Sequence, residues 1–169
     1  MLAKYGQIVF PQQSIMEKFY EIKVKEIMIP VHDTPFIKEN AVWADFFTKL
    51  SLRAHAWVVN NIKDMKVVGV VTEHDMLRCI IPPGEKKARI IGTARAEILH
   101  KESVIRDIMT HNPVVCSPEE TVADVLKKFS SFNIRRLAVV DENKRLLGEI
   151  TIQVLVKEFR HKHKFMNIV

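Results

Sequence analysis

Few side chains in this 169-residue sequence are placed to do chemistry, and the best placed are Thr72 and Asp75. Thr72 closes a short apolar run, Val67 to Val71 broken by Gly69, and suits the N-cap of a following helix. Asp75 comes three residues on, so the two form a capping-box-like pair that holds a carboxylate on the first helical turn. Alone, such a pair is more often a cap than a binding site. The chain supplies its own comparison. Leu146 to Val154, LLGEITIQV, repeats the frame VVGVVTEHD, with Gly148 for Gly69 and Thr151 for Thr72, both 79 residues later. Val154 stands where Asp75 would, so the fold does not require an acid at that corner. Asp75 is therefore a candidate for function.

Other reactive side chains read more plainly. Arg135 and Arg136, just before a buried strand, are taken as functional in preference to ordinary surface arginines. Trp57 reads as a core or cleft-plugging residue, and His55 and His74 as plain polar ones. His161-Lys-His163 is too short and too cationic for a metal site, and Cys116 reads as packing. Met28 and Met109 read as core. With no nucleophile–base pair, metal cluster or GxxxxGK phosphate loop, the sequence predicts no catalysis.

The elements that must position these residues repeat in order. Val24 to Met28 opens one segment and Ile105 to Met109 the other. Extended pieces follow at Thr34–Ile37 and Pro113–Cys116, and then a helix in each. In the second copy Ser117 reads as N-cap, Pro118 as the first helical residue and Glu120 as the third. Val122, Val125, Leu126 and Phe129 give the buried stripe, matched in the first copy by Trp43, Phe46, Phe47 and Leu50. Hairpins join Trp57–Val59 to the Gly69 strand and Ala138–Val140 to the Gly148 strand. The predicted fold is α+β, two β-α-β-β-α repeats. Its parts are a leader at 1–23 with a helix near 14–20, a first repeat at 24–82, a helical connector at 83–103, a second repeat at 104–160 and a basic tail at 161–169.

At 47% hydrophobic and 27% charged the composition is that of a globular protein. The longest apolar runs are about five residues, against roughly 20 for a bilayer span. The opening MLAKYGQIVFPQQS lacks a signal-peptide core, and two cysteines make no disulfide framework, so the expected home is a reducing cytoplasm with no membrane. The net charge of +6 favours anions in general, and Lys157, Arg160, Lys162 and Lys164 concentrate it near the end. That cluster reads first as a solvated helix end and second as a nucleic-acid contact.

Ile-Met-Thr-His-Asn-Pro at 108–113, Thr121-Val-Ala-Asp124, Ile134-Arg-Arg-Leu-Ala-Val-Val-Asp141, Gly148-Glu-Ile-Thr151 and Gly69-Val-Val-Thr-Glu-His-Asp75 resemble the tandem cystathionine-β-synthase-type (CBS) domain pair, or Bateman module, over roughly residues 20–160. The resemblance implies two repeats about a pseudo-two-fold axis with two clefts between them. It also implies an adenosine ligand (AMP, ADP, ATP or S-adenosylmethionine), no required cofactor, and regulation without catalysis. Carried over residue by residue, one cleft joins Thr72 and Asp75 to Pro113, Val114, Val115, Arg135, Arg136 and Ala138. The other joins Thr151 and Val154 to Pro35, Phe36, Ala54, His55 and Trp57, and has lost both the acid and the arginine pair. In the complete cleft Asp75 would accept the ribose hydroxyls, the arginines and the helix N-terminus would meet phosphate, and the slot near Val115 would hold adenine. The leading expectation is one competent site per chain in a homodimeric sensor acting on a protein partner. The alternative is an interaction or nucleic-acid-associated module with vestigial pockets.

Overall fold

The computed structural model describes residues 11–42, 45–46, 54–75 and 104–162. Trp43, Phe47, Leu50, Cys79, the connector at 83–103 and the tail beyond 162 lie outside the described residues. Helix α1 spans Pro11–Glu21 and α2 Val24–Ile27, leading into strand β1 (Ile29–Pro30), a 3-10 turn at Val31–Asp33 and β2 (Phe36–Lys38). Strands β3 (His55–Val59) and β4 (Val67–Thr72) complete the first repeat's described strands. A second 3-10 turn, Ile105–Asp107, then leads through β5 (Thr110–His111), β6 (Val115–Cys116), α3 (Val122–Phe132), β7 (Arg136–Val140), β8 (Leu146–Thr151) and α4 (Ile152–Lys162).

Two four-stranded sheets result, ordered β2-β3-β4-β5 and β1-β8-β7-β6. The predicted hairpins are there: β3 pairs antiparallel with β4, and β7 with β8. Each sheet also takes a short strand from the opening of the other repeat. β5 lies beside β4, and β1 lies beside β8. This exchange is why both frames carry glycine. A Cβ at Gly69 would collide with the Met109 side chain, and one at Gly148 with the Ile29 carbonyl.

The cores follow the exchange. Phe19, Ile22 and Val24 are buried with Val122, Val125, Phe129, Leu137, Val139, Ile150 and Leu155, so α1 and α2 complete the second repeat's core. Phe19 meets Phe159 of α4 edge-on, with ring centroids 5.2 Å apart. The leader is thus built into the fold from α1 onward. Reciprocally, Ile105 and Met109 are buried with Ile37, Phe46, Ala56, Val58 and Val71 of the first repeat.

Hydrogen bonds trace the pseudo-two-fold axis. Val67 N donates to Lys144 O and Leu146 N to Met65 O, both at 2.9 Å, joining the two hairpin turns. Val24 N to Glu120 O and Ile105 N to Ala41 O form a second symmetric pair, again both 2.9 Å. The strand register slips at Val58/Val59 in β3 and at the matching Val139/Val140 in β7.

One boundary differs from expectation. Helix α3 starts at Val122 with Thr121 as its cap, not at Ser117 and Pro118. Thr121 N and Oγ1 both donate to Asp124 Oδ2, at 3.0 and 2.8 Å, and the Thr121 hydroxyl accepts from Asp124 N. Ser117–Glu120 instead closes its own turn, Ser117 N donating to Glu120 Oε1. The Pro118 and Glu120 carbonyls accept from Lys25 N and Val24 N. Pairing with the exchanged segment holds those residues out of the helix.

Candidate functional site

The two sheets meet through one face of each hairpin. Trp57, Val59, Val67 and Val70 from one side and Val115, Ala138, Val140 and Leu146 from the other form a shared apolar cluster. Alternation along a strand then fixes what lies beyond it. Thr72 is two residues past Val70 on β4, and Arg136 two residues before Ala138 on β7. Val115 pairs directly with Ala138. Pro113 and Val114 lie in the link that carries the chain from β5 in one sheet to β6 in the other. The predicted front-cleft residues therefore lie at the end of β4, at the start of β7, and on β6 and the link before it, next to the Val70, Val115 and Ala138 part of the cluster.

At that end Thr72 closes β4 and the chain turns into a helix at Glu73. Thr72 donates to Asp75 Oδ2 from both its backbone N (2.8 Å) and its hydroxyl (3.0 Å), and Asp75 is buried. The capping pair is formed as expected, with the carboxylate anchored to its own strand end. Arg136 is half-buried. Arg135 is exposed, its carbonyl accepting from Ile152 N at the start of α4.

The opposite end is built from different side chains in matching places. Thr151 Oγ1 accepts from Val154 N at 3.3 Å, and Val154 packs into the second repeat's core. Phe36 packs on the shared cluster beside Trp57, its partner across β2 and β3. Pro35 precedes it, its carbonyl accepting from Trp57 N, while Ala54 is exposed. The centre of this end is Glu149, which the sequence reading passed over. Glu149 Oε2 accepts from the Trp57 indole N–H at 3.0 Å and lies 2.6 Å from His55 Nε2. Glu149 is only 3% exposed and Trp57 only 2%, so this polar knot is sealed between the repeats. Burial by itself would raise the Glu149 pKa. Hydrogen bonds and charge from His55, with the Trp57 hydrogen bond and the Arg136 charge, outweigh it and bring the pKa below its ordinary value.

Set against the front end, Glu149 takes the place of Val70, Trp57 that of Ala138 and His55 that of Arg136. A signal was present: one carboxylate in the apolar run LLGEIT, where the twin has valine. Cys116 is buried, its thiol pushed up to about 12, first by burial and then by the charge of Glu120. It behaves as packing. Among the described residues no cluster is suited to hold a metal ion, and no helix is long and apolar enough to cross a membrane.

This is the architecture of a tandem CBS pair, and the chain belongs to the CBS domain family, whose sequence pattern matches residues 24–82 and 105–161. Among curated relatives, an uncharacterized protein of Methanocaldococcus jannaschii, MJ1426, is 29% identical over 107 residues, 53% of this chain and 64% of that protein. Arabinose 5-phosphate isomerase KdsD of Francisella tularensis is 29% identical over 136 residues, 80% of this chain but 37% of the enzyme. The chain thus spans less than two thirds of either relative. Among solved structures, CBSX2 in complex with AMP matches with a TM-score of 0.64 at 24% identity, covering 80% of this chain and 94% of that one. The CBS domain pair of protein MJ0100, in complex with 5′-methylthioadenosine and S-adenosyl-L-methionine, matches at 0.60 and 24%, covering 83% and 98%. These two likenesses show the fold.

Proposed function

We propose that this chain is a regulatory ligand sensor that binds one adenine nucleotide, in the cleft framed by Thr72, Asp75, Pro113, Val114, Val115, Arg135, Arg136 and Ala138. One observation carries the reading. The two ends of a pseudo-symmetric interface differ, and only the front end combines a capped, buried acid with a small residue and an arginine. Ribose presents neighbouring hydroxyls suited to a carboxylate, and phosphate suits a helix N-terminus with arginine beside it. Solved CBS pairs of this fold hold AMP or S-adenosyl-L-methionine, which share the adenosine group. The role assigned is sensing without catalysis, in a homodimer that passes its state to a protein partner.

Calorimetric titration with AMP, ADP, ATP and S-adenosylmethionine tests the reading. One equivalent per chain is expected for at least one of them, and flat traces for all four would overturn it. Native mass spectrometry should show the dimer. A second reading, a nucleic-acid-associated module, draws on the exposed Lys157, Arg160 and Lys162 along α4. Salt-dependent retention on nucleic acid that vanishes when 157–169 are removed would favour it.

A further inference from the structure

The back cleft lacks the acid and the arginine pair of the front one, but its centre holds a carboxylate, Glu149, where the front has Val70. Glu149 is buried and doubly engaged, by His55 Nε2 at 2.6 Å and Trp57 Nε1 at 3.0 Å. The His55 and Trp57 rings meet edge-on, with centroids 5.8 Å apart. All three side chains come from the inward face of the hairpins, two from β3 and one from β8, so the knot crosses from one repeat to the other. No buried side-chain nitrogen or oxygen among the described residues is left without a partner.

We infer that Glu149 is the specificity determinant of the back cleft: its carboxylate keeps anionic nucleotides out by occupying the interior with negative charge and by engaging His55, the side chain that stands in the place of Arg136. A phosphate entering there would meet a buried carboxylate. It would also have to displace an indole that the same carboxylate holds in position. Val70 fills the matching place at the front, so the fold tolerates an apolar residue there. The loss of an acid at Val154 is then a lesser cause of silence than the gain of one at Glu149. This rests on the front cleft's reading as a nucleotide site for its choice of ligand class, but not for its test.

The test counts AMP equivalents per chain, by equilibrium dialysis and calorimetry, in variants that rewrite the back cleft with front-cleft residues. Trp57→Ala with Val154→Asp restores the small residue and the ribose acid but keeps Glu149. Adding Glu149→Val, or Glu149→Gln to preserve shape if the valine chain does not fold, removes the charge as well. Near-ultraviolet circular dichroism and a melting curve establish folding. The expected result is one more equivalent of AMP than the unaltered chain for either triple variant, and no gain for the double variant. A gain in the double variant, or none in a folded triple variant, overturns the inference. The count for the unaltered chain reports separately on the front cleft. Zero there would sink the proposed function, while the increment would still decide the role of Glu149.

Discussion

Asp75 has a structural double within the chain. Asp124 caps α3 through the same two hydrogen bonds from Thr121 that Asp75 receives from Thr72. A cap can therefore be separated from a ligand contact by paired substitution. Asp75→Ala should weaken AMP binding tenfold to a hundredfold, since a hydrogen bond to a charged group is worth about 1.5–3 kcal/mol. Asp124→Ala should lower the urea midpoint yet leave AMP affinity within about twofold, since Asp124 caps α3 and is not among the residues proposed to frame the cleft. Equal losses of affinity in both would assign Asp75 to capping alone. Cys116 carries a second prediction at this scale. Its thiol donates to the Ala138 carbonyl at 3.7 Å and is held protonated by burial. A thiol reagent at pH 8 should leave Cys116 unmodified in the native protein and modify it in urea, as peptide mapping would show.

At the scale of elements, the exchange of β1 and β5 shapes the molecule more than either hairpin does. The two glycines let a foreign strand cross close to β4 and β8, but what crosses them differs. At Gly69 an added methyl meets the far end of a flexible methionine, whereas at Gly148 it meets backbone. Gly69→Ala should therefore cost about 1–3 kcal/mol, the usual range for overpacking, and Gly148→Ala clearly more. Urea unfolding of the two variants checks the order, and a larger loss at Gly69 would contradict the reading. The same exchange explains the misplaced start of α3. Ser117, Pro118 and Glu120 have every local feature of a helix start, but tertiary hydrogen bonds from Lys25 N and Val24 N claim the Pro118 and Glu120 carbonyls.

For the whole molecule, the Glu149 knot ties the repeats together and links their stability to pH. A carboxyl whose folded pKa is depressed contributes stability that is fully present above its unfolded value, here 4.5. That contribution is lost as the pH falls through the lower folded value. Unfolding free energy should thus drop more steeply below about pH 4.5 in the unaltered chain than in Glu149→Gln, where this carboxylate is gone. Parallel curves would rule out Glu149 as the source. Glu149→Ala should cost about 3–5 kcal/mol at neutral pH, because His55 and the Trp57 N–H would be left buried without their acceptor.

The order of the elements, the pseudo-symmetry and the contrast between Asp75 and Val154 could all be read from residues alone. These rest on local physics: apolar periodicity, turn residues and caps act between neighbours, and a chain that repeats itself displays them twice. The strand exchange, the packing of α1 into the second repeat and the engagement of Glu149 needed the tertiary structure. Each depends on residues far apart in the chain meeting across an interface, and no spacing along the chain encodes which buried carboxylate an indole and an imidazole will find.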